Sequence, residues 1–145
     1  MLRAEGIHVR LGVAGAGDID DMRERLAALD AEVINRWLDD REIAPLLARY
    51  DAMALPYIEA SQSGVAAVAF GGCMPVVAMP SGGLGEQVIE GRTGVLAQEV
   101  TATSFADAIR RLATDRPLYR QISRCLKETA QDRSMHTFIA RLLGT

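Results

Sequence analysis

A carboxylate, two hydroxyls and a glycine follow an apolar segment near the middle of the chain. They are Glu59, Ser61, Ser63 and Gly64, and they come directly after residues 52–58. Hydroxyls and free backbone amides at a helix start favour a phosphate group, because the helix dipole places partial positive charge there. The pattern therefore indicates a site for a phosphorylated ligand. The alternative is that Ser61 or Ser63 only caps a helix and that Glu59 is a solvated loop charge.

A second polar turn follows the next apolar segment, residues 75–79. It contains Ser81, Gly82 and Gly83, and a short helix is predicted after it, through Val88 and Ile89. Glu86 lies within the first turn of that helix. Glycine lacks a side chain, so this turn permits a ligand to approach the backbone closely. Open α/β sheets bind ligands at the carboxyl ends of neighbouring strands, which is where both turns are expected. In the alternative interpretation, Glu86 only offsets the helix dipole.

Short apolar segments alternate with helical patterns along most of the chain. The predicted strands are residues 7–14, 32–37, 52–58, 75–79 and 95–98. The helical patterns between them are long enough for crossovers, which favours a parallel sheet with helices on both faces. Further helices are predicted from Ser104, as a capping box, and from Arg116. A last amphipathic segment contains Met135, Phe138, Ile139, Leu142 and Leu143. We therefore expect an α/β fold: a Rossmann-like open parallel sheet of about five strands with extra C-terminal helices.

Composition and charge exclude several classes of protein. The 145 residues suit one domain, and 49% hydrophobic with 24% charged residues is ordinary for a globular chain. A net charge of −3 argues against a nucleic-acid-binding protein. No apolar run reaches the ~20 residues that span a bilayer. We expect a cytoplasmic protein, with peripheral membrane association as an alternative.

The remaining residues that could bind a metal or a cofactor form weak patterns. Cys73 and Cys125 have no metal-binding spacing, so we expect reduced thiols and no metal. Gly15 and Gly17 begin like a dinucleotide fingerprint, but Asp20 occupies the position of its third glycine. A tight strand-to-helix turn is the better interpretation of these glycines.

Six segments, in order, resemble the C-terminal domain of GT-B glycosyltransferases, and most closely the retaining family 4, or group 1. They are residues 35–40, 47–56, 59–64, 75–78, 82–86 and 91–96. The resemblance covers nearly the whole chain. It implies a domain that binds a nucleotide diphosphate-sugar, the donor, and transfers the sugar to an acceptor. It also implies that the anomeric configuration is retained and that neither a metal nor another cofactor is needed.

The resemblance assigns roles to residues. Glu59 matches the catalytic glutamate near the donor sugar. The donor-binding candidates are Arg36 and Trp37 near the base, Ser61, Ser63 and Gly64 at the diphosphate, and Gly82, Gly83 and Glu86 beside the sugar. A second family glutamate, which contacts the ribose, has no counterpart, because Ala67 stands eight residues after Glu59 with Val68 next to it.

The start of the chain departs from the family pattern. The family domain opens with a strand and a helix that carry basic residues for the diphosphate, and this chain begins at what resembles the end of that helix. We expect a single domain, 1–145, that is N-terminally truncated, has two strands without their shared neighbour, and is inactive without an N-terminal half that binds the acceptor. The alternatives are a gene remnant, or a non-catalytic module that binds nucleotides, a partner protein or a second copy through the vacant strand position.

Overall fold

The computed structural model of the chain describes residues 2–130. The chain divides into two compact units, one ending at Leu46 and the other beginning at Leu47. The amphipathic segment predicted around Phe138 lies outside the described residues. No helix among residues 2–130 has both the length and the apolar character needed to cross a membrane.

The first unit contains a two-stranded parallel sheet in which Val13 lies opposite Val33. Its elements are a 3-10 helix at Leu2–Glu5, β1 at Gly12–Ala14, a 3-10 turn at Asp20–Met22, α1 at Arg23–Ala28, β2 at Glu32–Ile34 and α2 at Asp40–Leu47. None of residues 2–46 is buried. The sheet of this unit therefore has no closed apolar core of its own.

The second unit contains a three-stranded parallel sheet in the order β3-β4-β5. Its elements are β3 at Met53–Leu55, α3 at Gly64–Gly71, β4 at Val76–Ala78, α4 at Gly82–Gln87, β5 at Gly94–Leu96, α5 at Ala102–Thr114 and α6 at Arg116–Glu128. Ala54 of β3 and Val95 of β5 both lie opposite Val77, the middle residue of β4. The three strands are thus paired without a register shift.

The core of the second unit forms around β4, whose three residues are all buried. Helices surround it: α3 packs on β3 and β4 and contributes Ala66, Ala69 and Phe70, and α5 packs on β4 and β5. Helix α6 packs on α5 and contributes Ile122 and Leu126, both 0% exposed. Small residues on α3, such as Ala66 and Ala69, permit close packing of this helix on the sheet. This packing gives the second unit a rigid sheet on which loops can be placed.

The α/β class and five parallel strands are confirmed, but the strands form two sheets instead of one. Among the described residues β1 pairs with β2 alone and β3 with β4 alone. That two strands lack a shared neighbour stays a prediction. The strands are also shorter than predicted, because regular pairing covers three residues in each.

Two predicted helix boundaries are wrong. Helix α5 begins at Ala102 and is capped by Thr101, not by Ser104, because the Ser104 hydroxyl instead accepts hydrogen bonds from the amides of Gln98 and Glu99. The helix predicted through Val88 and Ile89 ends at Gln87, since Val88 already has extended backbone angles.

Candidate functional site

The site candidates of the second unit lie at the carboxyl ends of β3 and β4. Because these strands are parallel neighbours, the loop 56–63 after β3 and the loop 79–81 after β4 leave the same edge of the sheet. Glu59, Ser61 and Ser63 are in the first loop, and Gly64 begins α3. Gly82, Gly83 and Glu86 are in α4, which follows the second loop.

Helix α3 begins with a capped first turn that leaves two amides open. The Ser63 hydroxyl accepts a hydrogen bond from the amide of Ala66 at 3.2 Å, which fixes it as the cap. The amides of Gly64 and Val65 have no acceptor among the described residues. Ser63 is 5% exposed, so the backbone of Gly64 and Val65 is the accessible polar surface at this helix end.

Glu59 lies four residues before the cap, and its side chain is exposed. Its carboxylate has no hydrogen-bond or ion-pair partner among residues 2–130. Ser61 and Glu86 are also exposed, and within the same described part neither has a side-chain partner. Because no group within residues 2–130 binds the Glu59 carboxylate, it can accept hydrogen bonds from the hydroxyls of a ligand.

Gly82 and Gly83 make room for the chain's own backbone. A β-carbon at Gly82 would lie 2.2 Å from the carbonyl oxygen of Ala60, and one at Gly83 would lie 1.9 Å from that of Ser61. The Gly83 amide donates to the Ala60 carbonyl at 3.1 Å. The glycines were expected to let a ligand approach the backbone closely. In the structure, the loop that carries Glu59 makes this close approach instead.

Two further side chains connect the neighbouring loops, and the sequence did not single them out for this role. The buried Ser81 hydroxyl donates to the Tyr57 carbonyl at 2.8 Å. The Gln87 side-chain oxygen accepts from the Ser63 amide at 2.9 Å. The position of Ser81 directly after a strand was a usable signal, but a glutamine at the end of a short helix offers none.

Arg36 and Trp37 lie in the first unit, just after β2. The Arg36 guanidinium binds both carboxylate oxygens of Glu42, at 2.8 and 2.6 Å, and also the carbonyl of Trp37. Trp37 is 84% exposed. Arg36 is thus occupied by a carboxylate, whereas the indole is available to a ligand.

Hydrogen bonds at the start of helix α2 hold Glu42 in position. The Asp39 carboxylate accepts from the Arg41 amide, and Glu42 accepts from the Asp39 amide at 2.9 Å. This reciprocal arrangement is a capping box, and it identifies Asp39 as the cap of α2. Two hydrogen bonds lower the pKa of Glu42 to about 2: the larger effect comes from the Arg36 side chain and the smaller from the Asp39 amide.

We expect Glu42 to remain ionised at pH values where an ordinary glutamate is protonated. Its folded-state pKa is depressed, so the stabilisation from its ionised form is complete above the ordinary value of about 4.3. That stabilisation is lost as the pH falls towards about 2. Carbon-detected NMR titration of the Glu42 carboxyl measures this directly. In Arg36→Ala the midpoint should rise towards the ordinary value, and an unchanged midpoint would contradict the role of Arg36.

No three histidine, cysteine, aspartate or glutamate side chains within residues 2–130 lie close enough together to hold a metal ion. Ala67 and Val68, at the place of the second family glutamate, are exposed on α3. The outer surface of α3 near the open amides is therefore apolar.

Comparison with known proteins gives consistent matches. Residues 1–115 match the family model described as "Glycosyl transferases group 1". The chain is 37% identical over 116 residues to D-inositol 3-phosphate glycosyltransferase of Corynebacterium aurimucosum, an alignment that covers 77% of this chain and 27% of that protein. Its fold is similar to that of sucrose-phosphate synthase from Thermosynechococcus elongatus, with a TM-score of 0.75 and 22% identity over 93% of this chain and 37% of the synthase. The chain thus spans about a quarter of the length of the curated relative.

Proposed function

This chain belongs to the group 1 glycosyl transferase family, and on that premise we propose that its second unit binds the diphosphate and the sugar of a nucleotide diphosphate-sugar. The observation that carries the proposal is the open start of α3. Two unpartnered amides, those of Gly64 and Val65, follow a loop that presents the unpartnered carboxylate of Glu59. An anionic group at the amides and a polyhydroxyl group at the carboxylate suit this pair of features.

In this proposal each group has one task. Glu59 accepts hydrogen bonds from the sugar hydroxyls and orients the donor sugar. The amides of Gly64 and Val65 face the diphosphate, where negative charge grows as the bond to the sugar breaks. These fixed dipoles need no reorientation during the reaction, so they stabilise the leaving group without a metal or another cofactor. The assignment of Trp37 and Arg36 to the base, by family resemblance, stays a prediction.

Transfer also requires a site for the acceptor. The chain spans 27% of the length of its glycosyltransferase relative, and we propose that an N-terminal half binds the acceptor and supplies the cationic groups for the diphosphate. Without that half we expect donor binding but no sugar transfer. The cytoplasmic location stays a prediction.

A second candidate function is a module that pairs with a strand of another chain. Met53 donates to the Pro75 carbonyl and Leu55 accepts from the Met79 amide, so both residues direct their backbone towards β4. The backbone of Ala54 therefore points to the opposite side of β3, where the described residues provide no strand. An unpaired strand edge can accept a strand from a partner or from a second copy.

Substitution of Gly64 tests the diphosphate site. Gly64→Pro removes one of the two open amides, and the first position of a helix tolerates proline. The preceding Ser63, at φ −123° and ψ 111°, already has the extended backbone that proline requires of its neighbour. A hydrogen bond to a charged group contributes about 1.5–3 kcal/mol, so affinity for UDP or GDP should fall at least about tenfold.

The matched control is Gly64→Ala, which retains the amide and places its β-carbon where nothing lies within 4 Å. It should bind UDP or GDP like the unaltered chain in NMR titrations, with shifts at Gly64 and Val65. Equal affinity of the proline and alanine variants would refute the diphosphate site. Dimerisation in sedimentation experiments, regardless of nucleotide, would favour the strand-pairing module.

A further inference from the structure

The loop that carries Glu59 is held by the element that follows the next strand. Three hydrogen bonds connect them: Ser81 Oγ to the Tyr57 carbonyl at 2.8 Å, the Gly83 amide to the Ala60 carbonyl at 3.1 Å, and the Ser63 amide to Gln87 Oε1 at 2.9 Å. These attachment points lie before and after Glu59. Within the described chain, residues 56–62 make no backbone hydrogen bonds to one another. The conformation of the loop therefore depends on α4 and the turn that precedes it.

The bond from Gln87 completes a helix cap that α3 itself leaves incomplete. In a capping box the third helical residue, a glutamate or glutamine, accepts from the amide of the cap residue. In α3 that third position is Ala66, which cannot accept. Gln87, 24 residues further along the chain, supplies the acceptor instead. Without it the Ser63 amide, in a residue that is 5% exposed, would be left without a partner.

We propose that Gln87 is a positioning residue for the donor site and acts through Ser63. The Ser63 amide directly precedes the open amides of Gly64 and Val65, so fixing it sets the direction of both. Ser81 fixes the opposite end of the loop, at Tyr57. Together, Gln87 and Ser81 fix the position of the Glu59 backbone relative to the start of α3. This inference rests on the donor site proposed above, but the hydrogen bond can be tested without any ligand.

The first measurement is hydrogen exchange at the Ser63 amide in the ¹⁵N-labelled chain. In Gln87→Leu the acceptor is lost, and exchange at Ser63 should be about threefold to tenfold faster. The matched control is Gln121→Leu, because Gln121 also bonds to a backbone group, the Gly91 carbonyl at 2.9 Å, in the same unit. This control should leave exchange at Ser63 unchanged. Unchanged exchange in Gln87→Leu would overturn the proposal.

Gln87→Glu separates positioning from general packing and serves if the leucine variant does not fold. A glutamate of the same length accepts the Ser63 amide when ionised and loses acceptor strength when protonated. The Ser63 amide shift should therefore follow pH through the range of carboxyl titration in this variant and not in the unaltered chain. A Ser63 shift that does not respond to pH in Gln87→Glu would contradict the proposed contact.

Titration with UDP and GDP completes the test. Gln87→Leu should bind the nucleotide about threefold to tenfold more weakly, and Gln121→Leu should bind it like the unaltered chain. Equal loss in both variants would show a structural effect and overturn the positioning role. If the unaltered chain binds neither nucleotide, the donor site fails, and the exchange at Ser63 then decides whether Gln87 positions α3.

Discussion

Gly83→Ala should lower stability by about 3 kcal/mol, the upper part of the range for overpacking a closed site. The added β-carbon would lie 1.9 Å from the Ser61 carbonyl oxygen and 3.0 Å from its carbon. These are backbone atoms, so no rotamer change relieves the clash, and either the loop or α4 must move. Movement of the loop displaces Glu59 and the start of α3. Thermal unfolding should show a melting temperature lower by about 6–12 °C, and nucleotide binding should be lost.

The control lies in the same helix. Gly85→Ala places its β-carbon 3.5 Å from the nearest atom, the Cα of Pro80, which is an ordinary contact. Replacing glycine by alanine inside a helix stabilises by about 0.5–1 kcal/mol, so this variant should be as stable as the unaltered chain or slightly more so. Equal melting temperatures of Gly83→Ala and Gly85→Ala would show that Ala60 and Ser61 do not pack against α4 as the structure places them.

Gly94→Ala should cause a comparable loss, about 3 kcal/mol, for a different reason. Gly94 begins β5, and a β-carbon there would lie 2.0 Å from the Val76 carbonyl oxygen and 2.9 Å from Val88 Cγ1. The first contact forces β5 away from β4, and the second pushes against a buried side chain. Chemical denaturation should show a lower midpoint with an unchanged slope if the fold persists.

Gly71→Ala is the control for this second prediction. Nothing lies within 4 Å of a β-carbon at Gly71, the last residue of α3. Its denaturation midpoint should therefore remain close to that of the unaltered chain. A midpoint for Gly94→Ala equal to that of Gly71→Ala would show that β5 lies further from β4 than the structure places it.

Hydrophobic pattern and turn residues predicted most of the elements. The alternation of strands and helices and the parallel pairing follow from local signals that tertiary packing reinforces. Strand ends were overestimated, because apolar residues such as Ile7 and Val9 continue the strand pattern before Gly12, where the pairing with β2 begins. The start of α5 was misplaced because Ser104 resembles a cap and yet binds Gln98 and Glu99.

The candidate site was less accessible to sequence reasoning than the fold. Ser63 could be identified as one of two possible caps, since caps depend on neighbouring residues in the chain. The contacts of Gln87 and Ser81 could not, because each reaches a residue 24 positions away through a precise side-chain direction. The pairing of Arg36 with Glu42 was missed as well, because family resemblance gave Arg36 a different partner. Its role near the base stays a prediction.

The uneven distribution of the core has an evolutionary consequence. All buried apolar side chains among the described residues lie between Leu55 and Leu126, and none lies in residues 2–46. Exposed positions tolerate most substitutions within about 0.5 kcal/mol. Substitutions at the exposed positions of residues 2–46 should therefore seldom compromise folding, so selection on these positions would act mainly through binding. The loop that carries Glu59 is attached to the packed unit, where substitutions of buried residues cost more stability. The chain thus combines a unit whose sequence is limited mainly by what it binds with one whose sequence is limited by the need to fold.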